Sequence, residues 1–173
     1  LNRAAELISS FKQVAVDQIS DKIRIVNLGK YLDEIIHSLH PKLKKTNHTI
    51  KVDCPESSEV NCHAGAISQI FTNLIINSVE HGFKELNRGV ISILVQLNGE
   101  HVHITYEDNG HGLSEAQLEN LFDAFYTTAE NHGGSGLGTH IVHALVNDTL
   151  NGSITASSES GKGLRYDIYF DNI

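Results

Sequence analysis

The sequence predicts an α+β fold: a two-layer α/β sandwich in which a mixed, mostly antiparallel sheet carries helices on one face. Stretches with apolar residues at helical spacing alternate with stretches that alternate as strands do. Two strand pairs are joined by tight glycine turns, at Asn98-Gly99 and at Gly161-Lys162-Gly163, rather than by crossover helices. A chain of 173 residues is long enough for one domain with a real core and too short for two ordinary ones.

Taken in order, residues 1–19 carry Leu1, Ala4, Ala5, Ile8, Phe11, Ala15 and Ile19 on one stripe, with Arg3, Glu6, Lys12 and Asp17 elsewhere. This is an amphipathic helix whose apolar face needs a partner. It sets the division into a leader, 1–21, and a domain, 22–173. Residues 23–28 alternate as a strand, and Leu32, Ile35, Ile36 and Leu39 follow at helical spacing before Pro41. Residues 48–52 are a short strand, closed by Cys54-Pro55 and a polar loop. The strongest helix runs over 66–81, with Ile67, Ile70, Phe71, Leu74, Ile75 and Val79 apolar and Gly82 placed to stop it. Residues 90–97 and 101–106 form a hairpin that leads directly into Asp108. A helix over 138–150 and strands over 153–157 and 164–170 complete the fold.

Composition removes several functions. A net charge of −8 and a pI near 5.7 leave no basic excess to displace counterions, so general binding to a nucleic-acid backbone is excluded. Cys54 and Cys62 have neither C-x-x-C spacing nor the density of a secreted disulfide scaffold, which points to reduced thiols in a cytoplasmic setting. No apolar run approaches the ~20 residues of a membrane span, so no direct membrane insertion is expected of this piece. The first residue is Leu, so the chain reads as part of a longer protein. Among eleven histidines, His37/His40 and His140/His143 are a helical turn apart and His101/His103 share a strand face. No H-E-x-x-H motif or Cys/His cluster joins them, and ordinary surface histidines are the better reading.

Three constellations carry chemistry. In the helix over 66–81, Asn73, Asn77 and His81 recur every four residues and line one face. Asp108-Asn-Gly-His-Gly112 follows a strand, and Gly110 and Gly112 let the backbone turn and approach a flat ring closely. Gly134-Ser135-Gly136-Leu137-Gly138-Thr139 precedes a helix, whose N-terminal amides and dipole make an anion site that needs few cationic side chains. Between the last two lies an aromatic segment with Phe122, Phe125, Tyr126, Thr127 and Thr128. Alone, each has a plainer explanation as a solvated face, a hairpin exit, core aromatics or a loop.

In this order and approximate spacing, the four elements resemble the ATP-binding catalytic domain of bacterial sensor histidine kinases. That is a branch of the GHKL superfamily, which also holds gyrase-type topoisomerases, Hsp90 chaperones and MutL proteins. The resemblance covers nearly all of the chain and implies the Bergerat-type sandwich. It implies that Asn77 holds Mg²⁺ through its amide oxygen while Asn73 lies beside the phosphates, and that His81 belongs to the same site. It implies that Asp108 meets the exocyclic amine of adenine, which would select ATP over GTP because guanine presents a carbonyl there. Phe125, Thr127 and Thr128 would anchor a short lid. Gly134 to Thr139 would receive the phosphates. Residue 124 is Ala where the family commonly has proline, residue 129 is Ala where it has a basic residue, and residue 80 is Glu where it has Lys or Arg.

The resemblance further implies transfer of the ATP γ-phosphoryl group to a histidine, with relay to a response regulator receiver domain. The full protein would be a homodimer and the cytoplasmic part of a membrane-bound sensor, with 1–21 the end of its dimerisation and phosphotransfer helix. No histidine here is followed by an acid, as the acceptor should be, which places the acceptor upstream of Leu1. Two alternatives are weighed against this. A clamp-type ATPase commonly has a glutamate base where this chain has Asn73, whereas an anti-sigma serine kinase would not need the amphipathic leader. A non-catalytic nucleotide-binding scaffold finds its support in Glu80.

Overall fold

The computed structural model describes residues 22–126 and 137–173. The amphipathic stretch at 1–19 lies outside the described residues. So do Thr127, Thr128, Gly134, Ser135 and Gly136.

β1 (Ile23–Asn27) leads straight into α1 (Leu28–Ser38) because Asn27 keeps extended backbone while its side chain accepts from Lys30 N–H, capping the first turn. The chain does not stop at Pro41. It breaks at Leu39 and restarts as a single turn, α2 (His40–Leu43), with Pro41 in the opening position where no N–H is needed. β2 (Thr49–Asp53) is followed by a strand where sequence reasoning leaves a loop, β3 (Glu59–His63). Only Val60 and Cys62 of β3 are apolar and buried, too short a signal to read in advance. α3 (Ala64–Asn77) is buried almost all round, and it ends in a π-turn over Ser78–Gly82 rather than as regular helix to His81. The wider turn is closed by Phe83 N–H donating to Ser78 O at 2.8 Å.

The hairpin appears as β4 (Val90–Asn98) and β5 (His101–Asp108), with Gly99 at φ +64°. An unanticipated single-turn helix, α4 (Glu115–Glu119), starts with a capping box between Ser114 and Gln117. α5 (Gly138–Ala144) passes into a second π-turn over Leu145–Thr149, and β6 (Ser153–Ser158) and β7 (Leu164–Asp171) close the chain.

β1 and β3 form a small antiparallel sheet; the main sheet has five strands in the order β2-β4-β5-β7-β6. Among the described residues only β2 and β4 pair in parallel, which requires a long crossover, here supplied by β3 and α3. The sheet's inner face presents Ile91, Ile93 and Val95 of β4, Val102, Ile104 and Tyr106 of β5, and Tyr166, Ile168 and Phe170 of β7, all buried. Ile67, Ile70, Phe71, Leu74 and Ile75 of α3 complete the same core, each fully buried side chain contributing about 1.5–3 kcal/mol. Among the described residues no helix is long and apolar enough to cross a membrane.

Candidate functional site

A cavity of about 470 Å³ opens where α3 and its π-turn, the end of β5 and the start of α5 come together. Its buried charged group is Asp108, only 7% exposed, the last residue of the inward row Val102, Ile104, Tyr106 on β5. Two donors fix the carboxylate. Ser78 Oγ–H donates to Oδ2 at 2.6 Å, and Gly110 N–H donates to Oδ1 at 2.9 Å. Ser78 Oγ lies 2.8 Å from the Tyr106 hydroxyl, which itself donates to Leu74 O at 3.0 Å. Burial pushes the Tyr106 hydroxyl well above the usual phenol range, and the charge of Asp108 adds to this. The same causes raise Tyr166. Both phenols therefore stay neutral, and each carboxylate oxygen of Asp108 keeps acceptor capacity toward the cavity.

The glycines after Asp108 are required by close approach. A Cβ on Gly110 would lie 2.4 Å from Gly82 O, and His111 N–H donates to that same carbonyl at 2.9 Å. The 109–112 loop is thus laid against the π-turn of α3. Gly112 has φ +67°, the left-handed region that side chains avoid, and a Cβ there would lie 2.3 Å from Glu159 O.

Asn73, Asn77 and His81 all line the cavity, along with Gly112, Gly138 and Thr139. A Cβ on Gly138 would stand 3.3 Å from Asn77 Nδ2 and 3.4 Å from its Oδ1, so the missing side chain leaves the amide open where α5 begins. Thr139 Oγ1–H donates to Leu121 O at 2.6 Å, and a ring nitrogen of His140 bonds Phe122 O at 3.1 Å. These two contacts tie the start of α5 to the aromatic segment. Tyr126, just before residues 127–136, and Gly138, two residues after them, both border the cavity.

Among the described residues, three site residues expected from the sequence do not line it. Phe125 is 74% exposed with φ +65°, and Tyr126 takes the cavity side instead. Leu137 is the N-cap of α5, and Gly110 stands behind Asp108. Sequence reasoning missed Ser78, although a serine four residues past buried Leu74 on an apolar helix is a buried-polar signal. It also missed the partner of Glu80: Glu80 lines the cavity, and Lys42 of α2 donates to its Oε1 at 2.9 Å.

The donor set fits a hydrated divalent cation held mainly by a nucleotide. Among the described residues no group of three or more His, Cys, Asp or Glu makes a metal site of its own. The open Asn77 amide offers a single oxygen, which suits Mg²⁺ that keeps waters and phosphate oxygens as its other ligands.

The model of the histidine kinase-, DNA gyrase B- and HSP90-like ATPases matches residues 62–172. The sensor protein DegM of Bacillus sp. (strain B21-2) is 27% identical over 166 residues, covering 95% of this chain and 42% of DegM. Sporulation kinase A of Bacillus subtilis (strain 168) is 27% identical over 171 residues, 98% of this chain and 27% of the kinase. The chain therefore spans less than half the length of either. The solved catalytic domain of histidine kinase ThkA shares the fold, with a TM-score of 0.75 and 22% identity over 87% of this chain and 96% of that one. With that fold, the matched residues and sensor kinases as relatives, the chain belongs to the histidine kinase-, DNA gyrase B- and HSP90-like ATPase family.

Proposed function

We propose that this chain is the ATP-binding catalytic domain of a two-component sensor histidine kinase. The observation carrying it is one cavity lined both by a doubly held carboxylate, Asp108, and by an open amide, Asn77, beside the start of α5. Asp108 accepts from the exocyclic amine of adenine, while Leu113, Tyr126 and Tyr166 provide apolar surface around the ring and exclude water. Asn73, Asn77 and His81 lie beside the phosphates, and residues 134–139 receive them on backbone amides. Mg²⁺, held by Asn77, would neutralise charge on the triphosphate.

The reaction is displacement at the γ-phosphorus. An imidazole nitrogen of the acceptor histidine forms the new P–N bond, the bond to the β–γ bridging oxygen breaks, ADP leaves and the imidazole N–H proton is released. Such transfer rests on positioning and charge stabilisation more than on covalent help from the protein. The acceptor lies on a helical bundle preceding this chain, of which 1–21 is the last stretch, with 22–173 the catalytic domain. The partners are that bundle in a homodimer and a response regulator receiver domain, and the setting is the cytoplasm. Calorimetric titration tests the reading: MgATP should bind and MgGTP should not. Equal affinity for the two would refute the role of Asp108.

A further inference from the structure

We propose that Lys42 is a nucleotide-positioning residue, its ammonium held at the cavity edge by Glu80 to supply positive charge toward the polyphosphate. This rests on the ATP reading above. Glu80 lines the cavity three residues beyond Asn77, and a carboxylate there repels a triphosphate unless it is neutralised. Lys42 does so at 2.9 Å. No Lys or Arg is among the residues that line the cavity, and residues 127–136 contain none either. An ammonium has three N–H donors, so the contact with Glu80 leaves two for an anion.

The pair adds little to folding. Its side chains are 57% and 49% exposed, and exposed ion pairs contribute almost nothing to stability. What it changes is the charge a polyanion meets on entering. α2 is a single turn restarted at Leu39, and that restart brings Lys42 from outside the nucleotide-binding elements to the end of α3.

The test is the dissociation constant of MgATP and of adenosine, measured on wild type, Lys42→Ala, Lys42→Arg and the double variant Lys42→Ala/Glu80→Gln. Lys42→Ala should weaken MgATP about fivefold, the equivalent of ~1 kcal/mol, with a shallower dependence on salt. Adenosine, lacking phosphates, should bind unchanged. Lys42→Arg should retain the affinity, and the double variant should recover part of it because the repelling carboxylate is gone. Wild type that binds neither ligand overturns the nucleotide reading and this inference with it. Wild type that binds both, while Lys42→Ala matches it for MgATP or weakens adenosine by the same factor, overturns this inference alone.

Discussion

Replacing Asp108 by Asn changes one atom's hydrogen-bonding role and little else. In the native arrangement Oδ1 accepts from Gly110 N–H and Oδ2 from the Ser78 hydroxyl. An asparagine can keep its oxygen on Gly110 and turn its NH₂ toward Ser78. Ser78 then accepts and sends its own hydrogen to the Tyr106 oxygen, while Tyr106 still donates to Leu74 O. No buried polar group is stranded, so the fold should survive with a melting temperature within a few degrees of wild type. Binding should not survive as well, because a donor now stands where the adenine amine needs an acceptor. A hydrogen bond to a charged group is worth about 1.5–3 kcal/mol, which corresponds to a roughly 10- to 150-fold weaker dissociation constant. Calorimetric titration with MgATP, paired with a thermal melt, reads both quantities. A folded Asp108→Asn protein that binds MgATP as wild type does would refute the assignment of Asp108.

Ser78→Ala should act on the same group indirectly, removing one of the two donors to Asp108 and a contact of Tyr106. We expect a stability loss of about 1–3 kcal/mol together with weaker MgATP binding; denaturant melts and titration check it, and an unaltered midpoint would contradict the buried network. His48 supplies the pH dependence. Gly89 N–H donates to its Nδ1 at 2.8 Å and burial holds its pKa below the usual 6.5, so the folded state binds this proton less readily than the unfolded chain. Its contribution is therefore complete above about pH 6.5 and is lost as pH falls through that value toward the lowered folded pKa. Melts from pH 8 to 5 should decline less steeply for His48→Gln than for wild type, and equal slopes would exclude His48 as a source.

What was legible in the sequence follows from the length of each signal. α3, the β4–β5 hairpin and the β6–β7 pair carry long periodic runs or glycine turns, and their positions were readable to within a few residues. β3 was not, because only Val60 and Cys62 mark it and its stability comes from pairing with β1. The π-turns after α3 and α5 escape periodicity because nothing in composition separates an i+5 closure from an i+4 one. At the site, helical spacing put Asn73, Asn77 and His81 on one face, the family resemblance joined Asp108, Gly112, Gly138 and Thr139 to them, and all seven line one cavity. Phe125 was nominated from an aromatic pattern that does not say which ring faces inward. Ser78 and Lys42 act through partners 30 and 38 residues distant, contacts that only the folded chain creates.

The most direct measurement is phosphotransfer from radiolabelled ATP. This chain would be incubated with MgATP in the presence and absence of a separately supplied helical bundle from the same protein, carrying a histidine followed by an acid. None of the eleven histidines here has that neighbour, so acid-labile label should appear on the bundle and not on the chain itself. Asp108→Asn should abolish most of the labelling. Stable label on this chain alone, or a bundle that stays unlabelled although MgATP binds, would contradict the kinase assignment.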